Sequence, residues 1–164
     1  MITVQIQSGS DIPNLASGSM PNLLTVPDAL INAWSLERVR VVDGVLVDAA
    51  DYSRFYIDAV GVKHIERHDE TWQEIECAYS DVLIKDGSAW RLKTEQDVYQ
   101  EQYKAVDDKR QSEYTQRVRP HLEEAEIKKH MGEQSEYDRL MDLAVKERKQ
   151  IQIENPWPTP PEVA

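Results

Sequence analysis

The chain closes on a segment that neither a helix nor a sheet can absorb. Glu154-Asn155-Pro156-Trp157-Pro158-Thr159-Pro160-Pro161 places four prolines in six residues. Proline lacks the amide donor and fixes φ, so this segment stops any preceding helix and favours polyproline II. Trp157 within it is a large apolar body with a single N–H, poorly placed in water. It is expected to be substantially buried, against the residues that precede it or against a partner chain.

Those preceding residues carry helical periodicity. Thr94 is a good N-cap, and Asp97 three residues on completes a capping box. Val98, Tyr99, Tyr103, Val106, Tyr114 and Val118 then keep close to helical spacing, with charges on the other faces. Pro120 interrupts the pattern, so a kink or restart is expected there, with Leu122, Ala125 and Ile127 continuing the stripe to Met131. Gly132 is a natural C-terminal stop. Ser135, with Asp138 three later, is expected to cap a second helix with Tyr137, Leu140, Met141, Ala144, Val145, Arg148 and Ile151 on one face. A short link between two amphipathic helices predicts an antiparallel hairpin over residues 94–153, turning at 132–135. The tyrosines form the seam. Because the first helix outruns the second, Tyr99 and Tyr103 are left for the β part or another chain to cover.

Residues 1–93 read as strands. Ile2, Val4 and Ile6 alternate with polar residues over 1–7, a strand with one apolar face. Residues 8–22 hold Gly9, Pro13, Gly18 and Pro21 among serines and asparagines, which is loop chemistry. So long a loop is unusual in a compact domain, so either the first strand reaches a partner or the loop is functional. Pro27 opens a brief helix carrying Ala29, Leu30, Ile31, Ala33, Trp34 and Leu36. Segments 38–42 and 45–48 flank Asp43-Gly44, suited to a type I′ turn. Segments 54–60 and 62–67 pair about Gly61, and 72–79 is a further strand with Ile75, Cys77 and Tyr79 on one face. Segments 82–85 and 89–93 pair about Asp86-Gly87-Ser88. Hairpins followed by helices give an α+β chain with a boundary near Lys93. Its N-terminal part, 1–93, is an antiparallel hairpin-rich domain. Its C-terminal part, 94–164, is a helical hairpin with a polyproline-type tail.

The formal charge is −11, with acids exceeding bases in both parts. Binding to nucleic acid or an anionic membrane requires a basic face, so neither partner is expected. Cys77 is the one cysteine, which excludes an internal disulfide and fits a reducing cytoplasm. There is no basic-then-apolar leader and no long apolar run, so neither secretion by a leader nor membrane spanning is expected.

Candidate chemistry yields to simpler readings. His64 and His68 fall on a strand and turn, where a four-residue spacing does not converge, and read as surface polar residues. His121 with Glu124, and Glu126 with His130, lack the matching pairs on other helices that a carboxylate-bridged metal site needs. Cys77, alternating with Ile75 and Tyr79, reads as a small core residue. Asp107, Asp108, Glu123, Glu124 and Glu126 interleave with Lys104, Lys109, Arg110, Lys128 and Lys129 as a solvated helix face. No phosphate loop or nucleophile elbow occurs. The sequence therefore predicts a binding protein and not an enzyme, without cofactor or metal.

A charged helical hairpin running into Ile151, Glu154-Asn155-Pro156-Trp157-Pro158-Thr159-Pro160-Pro161 resembles the tail-fibre assembly proteins of tailed bacteriophages. That family's C-terminal region typically ends in Trp-Pro-Thr-Pro-Pro after helices of this kind. The resemblance is carried by residues 94–164; residues 1–93 show no motif of the family. It implies a chaperone acting in the host cytoplasm, which helps the C-terminal region of a cognate fibre fold and trimerise. Some members stay on the finished fibre, and self-association is a further option. The family pattern assigns fibre recognition to residues 1–93 and the folding step to 94–164. The physical task is to cover apolar surface and unpaired strand edges until the trimer buries them. Ile2, Val4, Ile6, Trp34, Trp90, Tyr99, Tyr103 and Trp157 are the expected partner-binding residues, with the 1–7 strand offered for strand addition. Two other classes remain: a permanent virion component at the fibre tip touching the host surface, and a small hydrolase or sugar-binding module.

Overall fold

In a computed structural model, residues 1–16 and 21–163 are described; Gly18, expected in the loop, lies outside the described residues. The chain is α+β, with small antiparallel sheets preceding a long helical region. It forms two compact units, Met1–Lys93 and Thr94–Ala164.

In the first unit, β1 (Thr3–Gln5) is the central strand of a three-stranded sheet, between β2 (Asn14–Leu15) and β3 (Leu23–Thr25). Both of its edges are paired, and Val4 is fully buried. The strand therefore has no free edge to offer a partner, contrary to the expectation for residues 1–7. The loop after it folds back and supplies β2, so neither remaining edge is longer than three residues, and short edges resist unwanted pairing. After Pro27 a 3-10 turn leads into α1 (Ile31–Ser35).

β4 (Val39–Val42) and β5 (Val45–Asp48) form the expected hairpin. Asp43 and Gly44 both have positive φ, 51° and 76°, as a type I′ turn requires. The β1 sheet, α1 and this hairpin share one core, built on Val4, Val26, Ala33, Val39, Val41 and Leu46.

A second core holds Ala49, Phe55, Ile57 and Cys77. It lies under β6 (Arg54–Ile57), which pairs on one side with the short β7 (Lys63–His64) and on the other with β8 (Gln73–Glu76). The Gly61 turn stays at φ 91°, where an added Cβ would meet Trp90 Cη2 at 2.9 Å. β9 (Leu83–Asp86) and β10 (Ala89–Leu92) form the last hairpin. Its two-residue loop is Gly87-Ser88, because Asp86 pairs directly with Ala89.

In the second unit, α2 (Glu95–Glu113) starts with a complete capping box between Thr94 and Asp97. Pro120 neither breaks nor sharply ends the helix. A single wide π turn over Tyr114–Val118, closed by Arg119 N–H to Tyr114 O, precedes α3 (Arg119–His130). Pro120 cannot donate to residue 116 and its ring would strike that carbonyl in a regular α-turn; the wider turn accommodates both deficits. The helix ends in a Schellman motif: Glu133 N–H donates to Lys128 O at 2.9 Å and Gly132 N–H to Lys129 O at 3.0 Å, with Gly132 at φ 80°. α4 (Gln134–Glu154) begins one residue before Ser135, and no side chain caps it. Ser135 is therefore inside the first turn and not the cap. Val118, Ala144 and Ile151 form the seam, with Tyr114 packed against it. Arg117 clamps the two arms through Glu113, Glu147 and Glu154.

Candidate functional site

The site that gathers the most expected residues is the seat of the proline tail on α2. At the end of α4, Asn155 is buried and its side chain donates to Ile151 O at 3.0 Å. Its own carbonyl accepts from Arg110 Nε at 2.8 Å. Arg110 is only 7% exposed, although its run of charged neighbours reads as a solvated face. Its guanidinium carbon lies 4.1 Å from the Trp157 ring centroid, while the Tyr103 ring stacks on Trp157 at 4.3 Å, 8° from parallel. The indole is thus held between a cation and an aromatic ring, two turns apart on one face of α2. Such contacts contribute about 0.5–2 kcal/mol for the cation and about 0.5–1.5 kcal/mol for the stack.

Further along, Thr159 and Pro161 share a small cleft with Val98, Tyr99 and Gln102. The tail therefore runs antiparallel to α2 from Arg110 back to Val98. The lengths agree: polyproline II rises about 3.1 Å per residue and an α-helix about 1.5 Å, so six tail steps match twelve helical ones at about 18 Å. The aromatic face that α4 is too short to reach is covered by the tail of the same chain. Coverage is incomplete. Trp157 is 41% exposed, Tyr103 40% and Val98 40%, so the expectation of a substantially buried Trp157 is corrected: proline spacing lets an extended segment lay one ring on the helix but cannot wrap it.

The expected residues of the first unit do not gather in this way. Val4 is fully buried, and Ile2 and Ile6 pack against the same core. Trp90 packs on the second core. Its backbone N–H and C=O are held by the Gln73 side chain at 2.6 and 2.8 Å, so it fastens the last hairpin to β8. Trp34 packs on the first core and also lines a cavity of about 810 Å³.

Sequence patterning gives no sign of a buried polar network that this unit contains. His64, expected at the surface, is 4% exposed. Its Nδ1 lies 2.6 Å from Asp11 Oδ1 and its Nε2 2.9 Å from Asp58 Oδ2, and Trp72 stacks on its ring at 4.0 Å. Asp11, fully buried, also accepts from Ile65 N–H at 2.6 Å and Glu66 N–H at 3.3 Å. Asp58 accepts from the Val60 and Val62 amides. Burial opposes the charge on His64, but its two carboxylate partners outweigh it and hold the imidazole pKa above its ordinary value. Burial likewise opposes ionisation of both aspartates, and the hydrogen bonds from His64 and the backbone outweigh it, holding them below the usual range. Both ring nitrogens face carboxylates, so neither is open to a metal. Burial raises the pKa of the Cys77 thiol, as for an inert core residue.

No helix among the described residues is long and apolar enough to cross a membrane. No family model, curated protein or solved structure matches this chain.

Proposed function

We propose that the protein is a tail-fibre assembly chaperone, which binds the C-terminal region of a cognate phage fibre in the host cytoplasm and promotes its folding and trimerisation. The observation that supports this reading is the seat of the Trp-Pro-Thr-Pro-Pro segment. The motif that carries the family resemblance is fastened along α2 by Arg110, Asn155 and Tyr103. It leaves a strip of exposed aromatic and aliphatic surface formed by Val98, Tyr103 and Trp157. A fastened apolar strip suits transient cover of the apolar surface of an unassembled subunit. In this reading residues 1–93 select the fibre and 94–164 serve the folding step, with retention on the finished fibre as a second outcome.

The test is co-expression of the full chain with the C-terminal region of a phage tail fibre, followed by capture on resin and a gel assay for fibre trimer. Co-capture together with trimer that depends on this chain is the expected result. Absence of both removes the proposal. A stoichiometric band of the protein in purified virions moves it to the class of permanent fibre-tip components.

A further inference from the structure

The cavity beside Trp34 is also where this acidic chain buries two cations. Arg40 is 3% exposed and Lys63 9%, and both line it. Taking a cation out of water is costly unless a counter-charge or full hydrogen bonding meets it. Arg40 donates from Nε to Lys63 O at 3.0 Å and from Nη1 to Glu37 O and Val39 O at 2.8 and 3.0 Å. Its Nη2 makes no hydrogen bond among the described residues. Lys63 Nζ donates to Tyr79 O at 2.5 Å and to Asp81 O. No carboxylate among the described residues forms an ion pair with either side chain. Both charges also face the Tyr79 ring, at 5.6 and 5.5 Å. Carbonyl oxygens fix the two groups in place but bring only partial charge, so two full positive charges stand at one wall. Burial lowers the Lys63 pKa, against an opposing pull from Cys77 and Asp81.

The remaining walls are mixed, with Trp34, Leu15 and Val62 supplying apolar surface and Asn14 and Ser35 polar groups. Glu37, the single acidic lining residue among the described residues, is exposed, and it is its carbonyl that meets Arg40. At about 810 Å³, the space falls within the roughly 300–1,000 Å³ of small-molecule sites, which combine apolar walls with a few fixed polar groups.

We propose that this cavity binds a carboxylate carried on an aromatic or aliphatic body, with Arg40 Nη2 on the carboxylate and Trp34 and Leu15 on the body. The free donors decide the anion. One open guanidinium nitrogen and an ammonium already engaged by two carbonyls suit a monoanion, whereas a phosphate dianion needs more donors to replace its water. Two sources present this chemistry: a free organic acid and the C-terminal end of a polypeptide. The inference does not depend on the assembly reading, since it rests on residues of the first unit alone.

The full-length protein would be titrated by calorimetry with phenylacetate and phenylacetamide, and with acetyl-Gly-Gly-Phe as the free acid and as the amide. Amide resonances of the chain would be followed in parallel. The acids should bind at least about tenfold tighter than their amides, with shifts at residues 34–40 and 61–63. Arg40→Gln should abolish that preference. Leu15→Glu, at a position 70% exposed, should weaken the acids by about fivefold or more through like-charge repulsion while leaving the melting temperature unchanged. If Arg40→Gln does not fold, Leu15→Glu decides. Tighter binding of phenylacetate assigns a small acid, and tighter binding of the tripeptide a chain end. Equal binding of acid and amide, no binding of either acid at millimolar concentration, or full affinity in Leu15→Glu overturns the proposal.

Discussion

His64 Nδ1 and Asp11 Oδ1 lie 2.6 Å apart, both buried, although 53 residues separate them in the chain. With Asp58 on the other ring nitrogen, the imidazole donates to both carboxylates when it is protonated. This one side chain fastens the loop after β1 to the β6–β7 turn.

The network makes the first unit pH-dependent with a definite sign. A raised histidine stabilises fully below its unfolded pKa, about 6.5, and that contribution is lost as pH rises through the folded value. The lowered aspartates stabilise above their unfolded value, about 3.9, and their contribution is lost as pH falls through the folded one. Stability from this network should therefore peak between about pH 4 and 6.5 and decline on the alkaline side. Denaturant midpoints read by near-ultraviolet circular dichroism check this, with His64→Gln expected to remove the alkaline decline. Equal midpoints in the wild type at pH 5 and at pH 9 would sink it.

Asp11→Ala leaves a buried imidazole facing an empty wall. Removing one partner of a buried charged pair typically costs about 3–5 kcal/mol. The loss should appear in the denaturant midpoint read by near-ultraviolet circular dichroism. A cost below about 1 kcal/mol would mean that water replaces the carboxylate fully.

Trp157→Ala should destabilise the second unit by about 1–3 kcal/mol, less than the roughly 3–5 kcal/mol of a fully buried indole, because the ring is only partly covered. Arg110→Lys should reproduce part of the loss, since lysine keeps the charge but not the planar fork over the ring. Thermal melts at 222 nm measure both. An unchanged melting temperature in Trp157→Ala would show the tail to be unattached in solution.

Gly61→Ala combines a positive φ with a Cβ 2.9 Å from the Trp90 ring, and should cost about 1–3 kcal/mol through overpacking and strain. Gly132→Ala meets nothing within 4 Å and should cost only about 1 kcal/mol, from the left-handed backbone alone. Comparing their denaturant midpoints separates packing from conformation, and equal losses at the two sites would contradict the Trp90 contact.

Local chemistry determined much of this protein in advance. The Thr94 capping box, the Gly132 stop, the Asp43-Gly44 turn and the alternation that buries Cys77 are decided by neighbours within a few residues, so they are legible in sequence. The disturbance before Pro120 was legible but its form as a π turn was not, because the missing donor does not say how the backbone accommodates it. Tertiary structure alone decided where charge goes. Arg110, Arg40 and His64 have the composition of a surface and the burial of a core, since each has a carbonyl or carboxylate partner that lies far along the chain: Asn155 O, Lys63 O and Asp11. It also decided that β1 is a central strand and not an edge, because pairing on both sides depends on a loop folding back to supply β2. Side-chain periodicity records which face is apolar; it carries no record of which long-range partner arrives to cover it.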